Sequence, residues 1–212
     1  MDLCSKHMTI RYGLLEPFYH QPVRDHVERM RGFAIKLIKD LNIQFDPTEV
    51  DALIMAHDLP ELNLENDIAC WDQEKQKGTS DIKEKTEVES MKHLATQYGD
   101  WIFDLWNEYS EQKTELAKFV KYMDRYEDHN FFVGKMLESG DRFLQTWGKP
   151  VPASEHLDFA LTRFVKATLG FPTASKITRE RLESLRAIAT SHGLEKRLDG
   201  LLAQIKNHTP CQ

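Results

Sequence analysis

The stretch LIMAHDLPEL, residues 53 to 62, constrains this chain more than any other. It places a histidine and an aspartate, His57 and Asp58, at the end of an apolar helical run, with Pro60 two residues further on. The residue before a proline is driven out of the α region, so the helix should stop near Leu59. At its start, Asp46, Pro47, Thr48 and Glu49 read as a capping box with proline at the first helical position. The pattern predicts a helix over residues 46–58. Val50, Leu53, Ile54 and His57 fall on one face of it, so His57 continues a buried stripe with Asp58 beside it. An imidazole and a carboxylate on a core face both need a partner, and a divalent cation satisfies the two at once.

Helical periodicity dominates the rest of the chain. Val23, Val27, Met30, Ala34, Leu37, Ile38 and Leu41 recur at steps of three and four and predict a helix over 23–41. His26 lies at the edge of that face, where its alternatives are a partly buried histidine bonded to backbone and a metal ligand. Residues 60–80 show no clean period. They follow the His57/Asp58 doublet and carry Glu61, Glu65, Asp67 and Trp71, so they read as an active-site loop, with 72–80 as a solvated insertion. Residues 81–98 alternate in charge around a thin stripe of Val88, Met91, Ala95 and Tyr98. They predict an exposed helix ended by Gly99, with His93 as a surface residue. The aromatic run 101–109 reads as a helical turn packed on the core rather than a base-stacking platform.

Residues 112–137 read as one long helix. Leu116, Val120 and Asp124 are spaced by four, so Asp124 stands where an apolar residue is expected. A carboxylate there is either salt-bridged or a metal ligand. Lys121, one turn earlier, either projects into the same cavity or pairs with Asp124 or Glu127. After the break at 148–154, Ser154 is expected to cap a helix carrying Leu157, Leu161, Phe164 and Val165 and stopped by Gly170. Thr178 is expected to cap another, with Leu182, Leu185 and Ile188, and Leu194, Leu198, Leu201 and Ile205 form a final amphipathic segment. No segment reads clearly as a strand. The expected fold class is all-α, with the 212 residues forming one domain whose core spans about 11–135 and whose C-terminal helical extension spans about 150–206.

Net charge of −6 argues against general binding to nucleic acid polymers, and no apolar run approaches the length that spans a membrane. Cys4, Cys70 and Cys211 are scattered and match no zinc motif, which reads as reduced thiols in a cytoplasmic protein.

His26, then His57 and Asp58, then Asp124 appear in that order on three helices. This order resembles the signature of the HD superfamily of metal-dependent phosphohydrolases. VRDHVERM around His26 is similar to the segment that carries the family's first histidine. HDLPE resembles the extended HDxxE motif of the 5'-deoxyribonucleotidase branch, and LWNEYSEQKTELAKFVKYMD resembles that branch's segment around the last aspartate. The resemblance covers about residues 11–135. It implies an HD-domain helical bundle with additional C-terminal helices. It also implies one divalent metal ion held by His26, His57, Asp58 and Asp124, and a nucleotide substrate, most readily a deoxyribonucleoside 5'-monophosphate. Two imidazoles and two carboxylates suit manganese, cobalt, iron, nickel or zinc. Glu61 is assigned to orienting or deprotonating a water, with a loop carboxylate as its plain alternative. Asp67 is assigned to the sugar or to proton transfer, as the aspartate of the family's Gly-Asp pair is, although Asn66 stands where that aspartate would fall, the loop is one residue longer and the glycine is lost. Arg11, 15 residues before His26, matches an arginine near the substrate in bacterial members of the branch. Arg11 and Lys121 are the candidates for phosphate contacts. The family also implies a homodimer.

Two other readings compete. The same site could cleave a nucleoside triphosphate or a nucleotide analogue, with Lys75, Lys77, Lys83 and Lys85 supplying cations at its mouth. Alternatively, the chain could be a non-catalytic helical module that keeps a metal for stability.

Overall fold

The computed structural model describes residues 10–11, 21–63, 79–139 and 153–208. The described residues are helical almost throughout and the fold is all-α. Among the described residues a two-residue antiparallel ladder also occurs, in which β1 (Ile10–Arg11) pairs with β2 (Gln21–Pro22), Arg11 lying opposite Gln21. A ladder this short leaves no alternation to read in the sequence.

The helices are α1 (Val23–Asp40), α2 (Pro47–Ala56), α3 (Thr79–Tyr98), α4 (Trp101–Glu111), α5 (Glu115–Ser139), α6 (Ala153–Gly170), α7 (Ser175–Ser184), α8 (Arg186–Ser191) and α9 (Glu195–His208). Short 3-10 turns cover Leu59–Asn63 and Pro172–Ala174. The chain divides into two compact units, one of Met1–Ile38 with Ile43–Val120, the other of Lys39–Asn42 with Lys121–Gln212. No helix among the described residues is long and apolar enough to cross a membrane.

In the first unit, α1 buries Val23, Val27, Met30, Ala34 and Leu37, the stripe its periodicity predicts. Helix α2 starts as its capping residues require. The Asp46 side chain accepts a hydrogen bond from the Thr48 amide at 2.7 Å, and Pro47 takes the first helical position. The helix stops at Ala56, two residues short of the expected end, so His57 and Asp58 form the turn between α2 and the 3-10 turn at Leu59. The residues on either side of that turn, Ala56 and Leu59, belong to one buried apolar cluster with Met91 and Leu94 of α3 and Ile102 and Trp106 of α4. The doublet is thus pinned on both sides by burial.

Helix α3 does more than its thin stripe predicts. Met91 and Leu94 are fully buried, and Ser90 is buried beside them. Gly99 ends it with φ +100, and a Cβ there would come within 3.1 Å of the Trp101 side chain, which makes glycine the fitting residue. The 101–109 segment extends into the full helix α4, burying Trp106 and Tyr109 and leaving Trp101 exposed.

In the second unit, Leu157, Leu161, Phe164 and Val165 of α6, Leu182 of α7, and Leu198, Leu201 and Ile205 of α9 are buried, and α6, α7 and α9 pack on one another. Thr178 does not cap a helix. It lies inside α7, which begins at Ser175. Its hydroxyl is 3.1 Å from the Tyr122 hydroxyl and 2.9 Å from that of Thr168, so it is engaged there rather than at a helix start.

Candidate metal centre

The first unit brings three of the anticipated ligands together. His26 sits on the second turn of α1 and is fully buried, deeper than its edge position suggests. Its Nε2 lies 3.2 Å from Nε2 of His57 and 3.7 Å from Oδ2 of Asp58. His57 Nε2 and Asp58 Oδ2 are 3.1 Å apart.

One contact fixes the chemistry of this cluster. His57 Nδ1 is 2.6 Å from the carbonyl oxygen of Ile54, one turn back in α2. A carbonyl only accepts, so Nδ1 carries a proton and donates it, which leaves Nε2 as the nitrogen that a neutral ring would present to the cluster. Asp58 offers a carboxylate oxygen. His26 Nε2 is the third vertex, and it offers a second lone pair unless it carries the ring proton. Side-chain atoms of these three residues lie within 4.8 Å of one another. Nitrogen and oxygen ligands about 2.0–2.2 Å from a shared ion stand about 3.0–3.6 Å apart at octahedral to tetrahedral angles. Two edges of the triangle, 3.2 and 3.1 Å, fall within that spacing, and the third, 3.7 Å, lies just beyond it. The C-terminal end of α2, with its outward carbonyls, also favours positive charge here. Tyr109 of α4 meets the His57 ring edge-on at 5.4 Å between centroids and limits its rotation. The donor set and its spacing fit a divalent cation.

Glu61 follows one turn later. Its amide donates to the Asp58 carbonyl at 3.1 Å, which fastens the 3-10 turn to the doublet. Its side chain is buried, and Oε1 accepts from Lys83 Nζ of α3 at 3.3 Å. Lys83 is also 3.5 Å from Glu87 Oε1. Sequence reasoning had placed Lys83 at the mouth of a polyphosphate site, whereas its ammonium faces two carboxylates. Ser90, which sequence reasoning passed over, donates to the Pro60 carbonyl at 2.9 Å. The signal for both was present: residues 83, 87 and 90 follow helical spacing and share a face.

Asp124 belongs to the second unit, on α5. It is buried, as its place on the apolar stripe predicts. Lys121 Nζ donates to its Oδ2 at 3.2 Å, and Nη2 of Arg125 lies 3.4 Å from the same oxygen. Nη1 of Arg125 meanwhile bonds Asp128 at 2.7 Å. Burial, and then the neighbouring Arg125, push the Lys121 ammonium down to about 8, against the attraction of Asp124. Arg11 lies in β1, opposite Gln21. Asp67 lies outside the described residues, as do Glu65, Trp71, Lys75 and Lys77.

Known proteins bear on this arrangement. The family model described as "HD domain" matches residues 10–141. The 5'-deoxynucleotidase HDDC2 of Dictyostelium discoideum is 31% identical over 133 residues, which cover 59% of this chain and 70% of the relative. The 5'-deoxynucleotidase HDDC2 of Xenopus laevis is 33% identical over 111 residues, 50% of this chain and 51% of the relative, so the chain spans about half of that protein. No solved structure matches. Helices α6 to α9 lie beyond the family match.

Proposed function

Because this chain belongs to the HD-domain family, we propose that it is a metal-dependent phosphohydrolase of nucleotides, acting on deoxyribonucleoside 5'-monophosphates. The observation that carries this reading is the triangle of His26 Nε2, His57 Nε2 and Asp58 Oδ2, with the His57 tautomer set by the Ile54 carbonyl. Two relatives named 5'-deoxynucleotidase support the substrate class.

In this proposal His26, His57, Asp58 and Asp124 hold one divalent cation, manganese, cobalt, iron, nickel or zinc. When bound, such an ion supplies Lewis acidity toward a phosphoryl oxygen and toward water. The chain does the rest. The Ile54 carbonyl keeps the proton on Nδ1 of His57 and so keeps Nε2 available. Glu61, buried and one turn past the doublet, accepts the proton of the attacking water and aligns it. Arg11 and Lys121 meet the phosphate and offset charge that builds on its oxygens. Asp67 serves the sugar or a proton transfer. The protein works as a cytoplasmic homodimer with a small nucleotide as its partner.

The triphosphate reading is weakened by one specific observation: Lys83, one of its four cations, is held by Glu61 and Glu87. The deciding experiment supplies metal-stripped protein with each metal in turn and screens nucleoside 5'-mono- and triphosphates. Orthophosphate from deoxyribonucleoside monophosphates is the expected product. Tripolyphosphate or pyrophosphate would move the assignment to triphosphates. Silence with every metal would defeat it, and a metal that raised only the melting temperature would leave a metal-stabilised binding module.

A further inference from the structure

Resting on the role given to Glu61 above, we propose that Lys83 is a positioning residue, which together with Ser90 clamps the turn carrying Glu61 and aims its carboxylate. Lys83, Glu87 and Ser90 stand at i, i+4 and i+7 of α3, on one face of the helix. That face meets the 3-10 turn of residues 59–63, and it does so at two levels. Ser90 Oγ, buried, donates to the Pro60 carbonyl at 2.9 Å and fixes the backbone just before Glu61. Lys83 Nζ, 3.3 Å from Glu61 Oε1, fixes the far end of the side chain. Glu87 Oε1, 3.5 Å from the same ammonium, holds the lysine from its own helix, so that Lys83 does not swing freely.

A glutamate has three side-chain torsions, and a base that must meet a water at one angle loses rate for each alternative it samples. The side chains of Lys83 and Glu61 are 15% and 7% exposed, so their attraction is screened less than that of a surface pair. An ammonium bound to two carboxylates is also a poor phosphate ligand, which separates this role from direct substrate binding.

The test compares wild-type protein, Lys83→Met, Lys83→Arg, Glu61→Gln and the Lys83→Met/Glu61→Gln double variant. Each is read for kcat, KM, bound metal per chain and melting temperature. Lys83→Met should lower kcat about 10–100-fold, the range seen when a group supporting a metal site is removed. KM and metal content should stay unchanged, and Lys83→Arg should restore most of the rate. In the Glu61→Gln background the same change should cost less than about twofold, because a residue that acts through Glu61 has nothing left to aim. An equal loss in both backgrounds, or a rise in KM with kcat unchanged, would overturn the clamp. If Lys83→Met does not fold, Lys83→Gln takes its place in the cycle. An active wild-type enzyme indifferent to Lys83 sinks the clamp alone, whereas a wild-type protein silent with every metal sinks the hydrolase reading and the clamp with it.

Discussion

In the second unit the buried hydroxyls of Tyr122, Thr178 and Thr168 form a chain that ends on a backbone carbonyl. In the first, the buried nitrogens of His26 and His57 face each other and a carboxylate. The direction of each set can be derived. Thr168 donates to the Phe164 carbonyl at 2.9 Å, so it accepts from Thr178, which in turn accepts from Tyr122. Burial pushes the Tyr122 phenol up, which keeps its proton in place as the first donor. Every proton in that chain has an acceptor, and the aromatic rings of Tyr122, Phe164 and Phe171 close around it. In the His26, His57 and Asp58 cluster the His57 proton is already committed to Ile54. Beside the other His57 nitrogen stand the His26 ring nitrogen and the Asp58 carboxylate, 3.2 and 3.1 Å away. Buried polarity that satisfies itself is structural. Buried imidazoles and a carboxylate that converge at ligand spacing fit a cation.

The comparison can be broken, starting where the largest effect is expected. Asp58→Ala should reduce phosphate release to background and lower bound metal per chain, with the helical signal of the protein retained. Loss of activity with full metal occupancy would contradict the ligand role. In the second unit, Phe164→Ala removes the ring that meets Tyr122, Tyr126 and His129. It should cost about 3–5 kcal/mol in denaturant unfolding, with metal stoichiometry unchanged. Metal at about 100 times its dissociation constant should stabilise the protein by about 2.7 kcal/mol, and a chelator should reverse this. Asp58→Ala should abolish that increment, while Phe164→Ala should keep it. Thr178→Val breaks the hydroxyl chain at its middle and should cost about 1–3 kcal/mol, the penalty for leaving buried partners unpaired, again without loss of metal.

A last effect is one of pH. His129 of α5 is buried, stacks on Phe164 at 4.6 Å, and has no hydrogen-bond partner for either ring nitrogen among the described residues. Burial, and then repulsion from Arg181, hold its pKa down to about 3 from 6.5, against the pull of Asp128. The unfolded chain therefore takes up a proton near pH 6.5 that the folded chain refuses until about pH 3. Stability present above pH 6.5 should fall on acidification through that window by up to about 1.4 kcal/mol per pH unit. His129→Phe should remove this share of the slope, measured as the difference between wild-type and variant unfolding curves. An unchanged slope would show that His129 is protonated alike in both states.

The site was legible in parts. Asp46 and Pro47 mark the start of α2, Pro60 marks a stop, and the doublet between them is visible as polar residues on an apolar stripe. Asp124 could be recognised on α5 as buried, by its four-residue spacing from Val120. The sequence could not say that His26 is wholly enclosed, because an edge position on one helix becomes interior only when something packs over it. Nor could it say that Lys83 meets Glu61, 22 residues away, or that Leu94 joins Met91 in the core.

What the sequence determined by itself is local: which face of each helix is apolar, where α2 begins, and which residue types interrupt a buried stripe. These follow from contacts three and four positions apart, which helical geometry imposes on any chain with this order of residues. Only the tertiary structure decided which interruptions meet. His26 and His57 are 31 positions apart, and their nitrogens come to 3.2 Å only because α1 and α2 are placed by their packing. The same holds for Thr178, whose hydroxyl bonds Tyr122, 56 positions away, instead of starting a helix. A hydrogen bond between distant elements gives such a hydroxyl an alternative to a helix terminus, and no window of neighbouring residues contains that information.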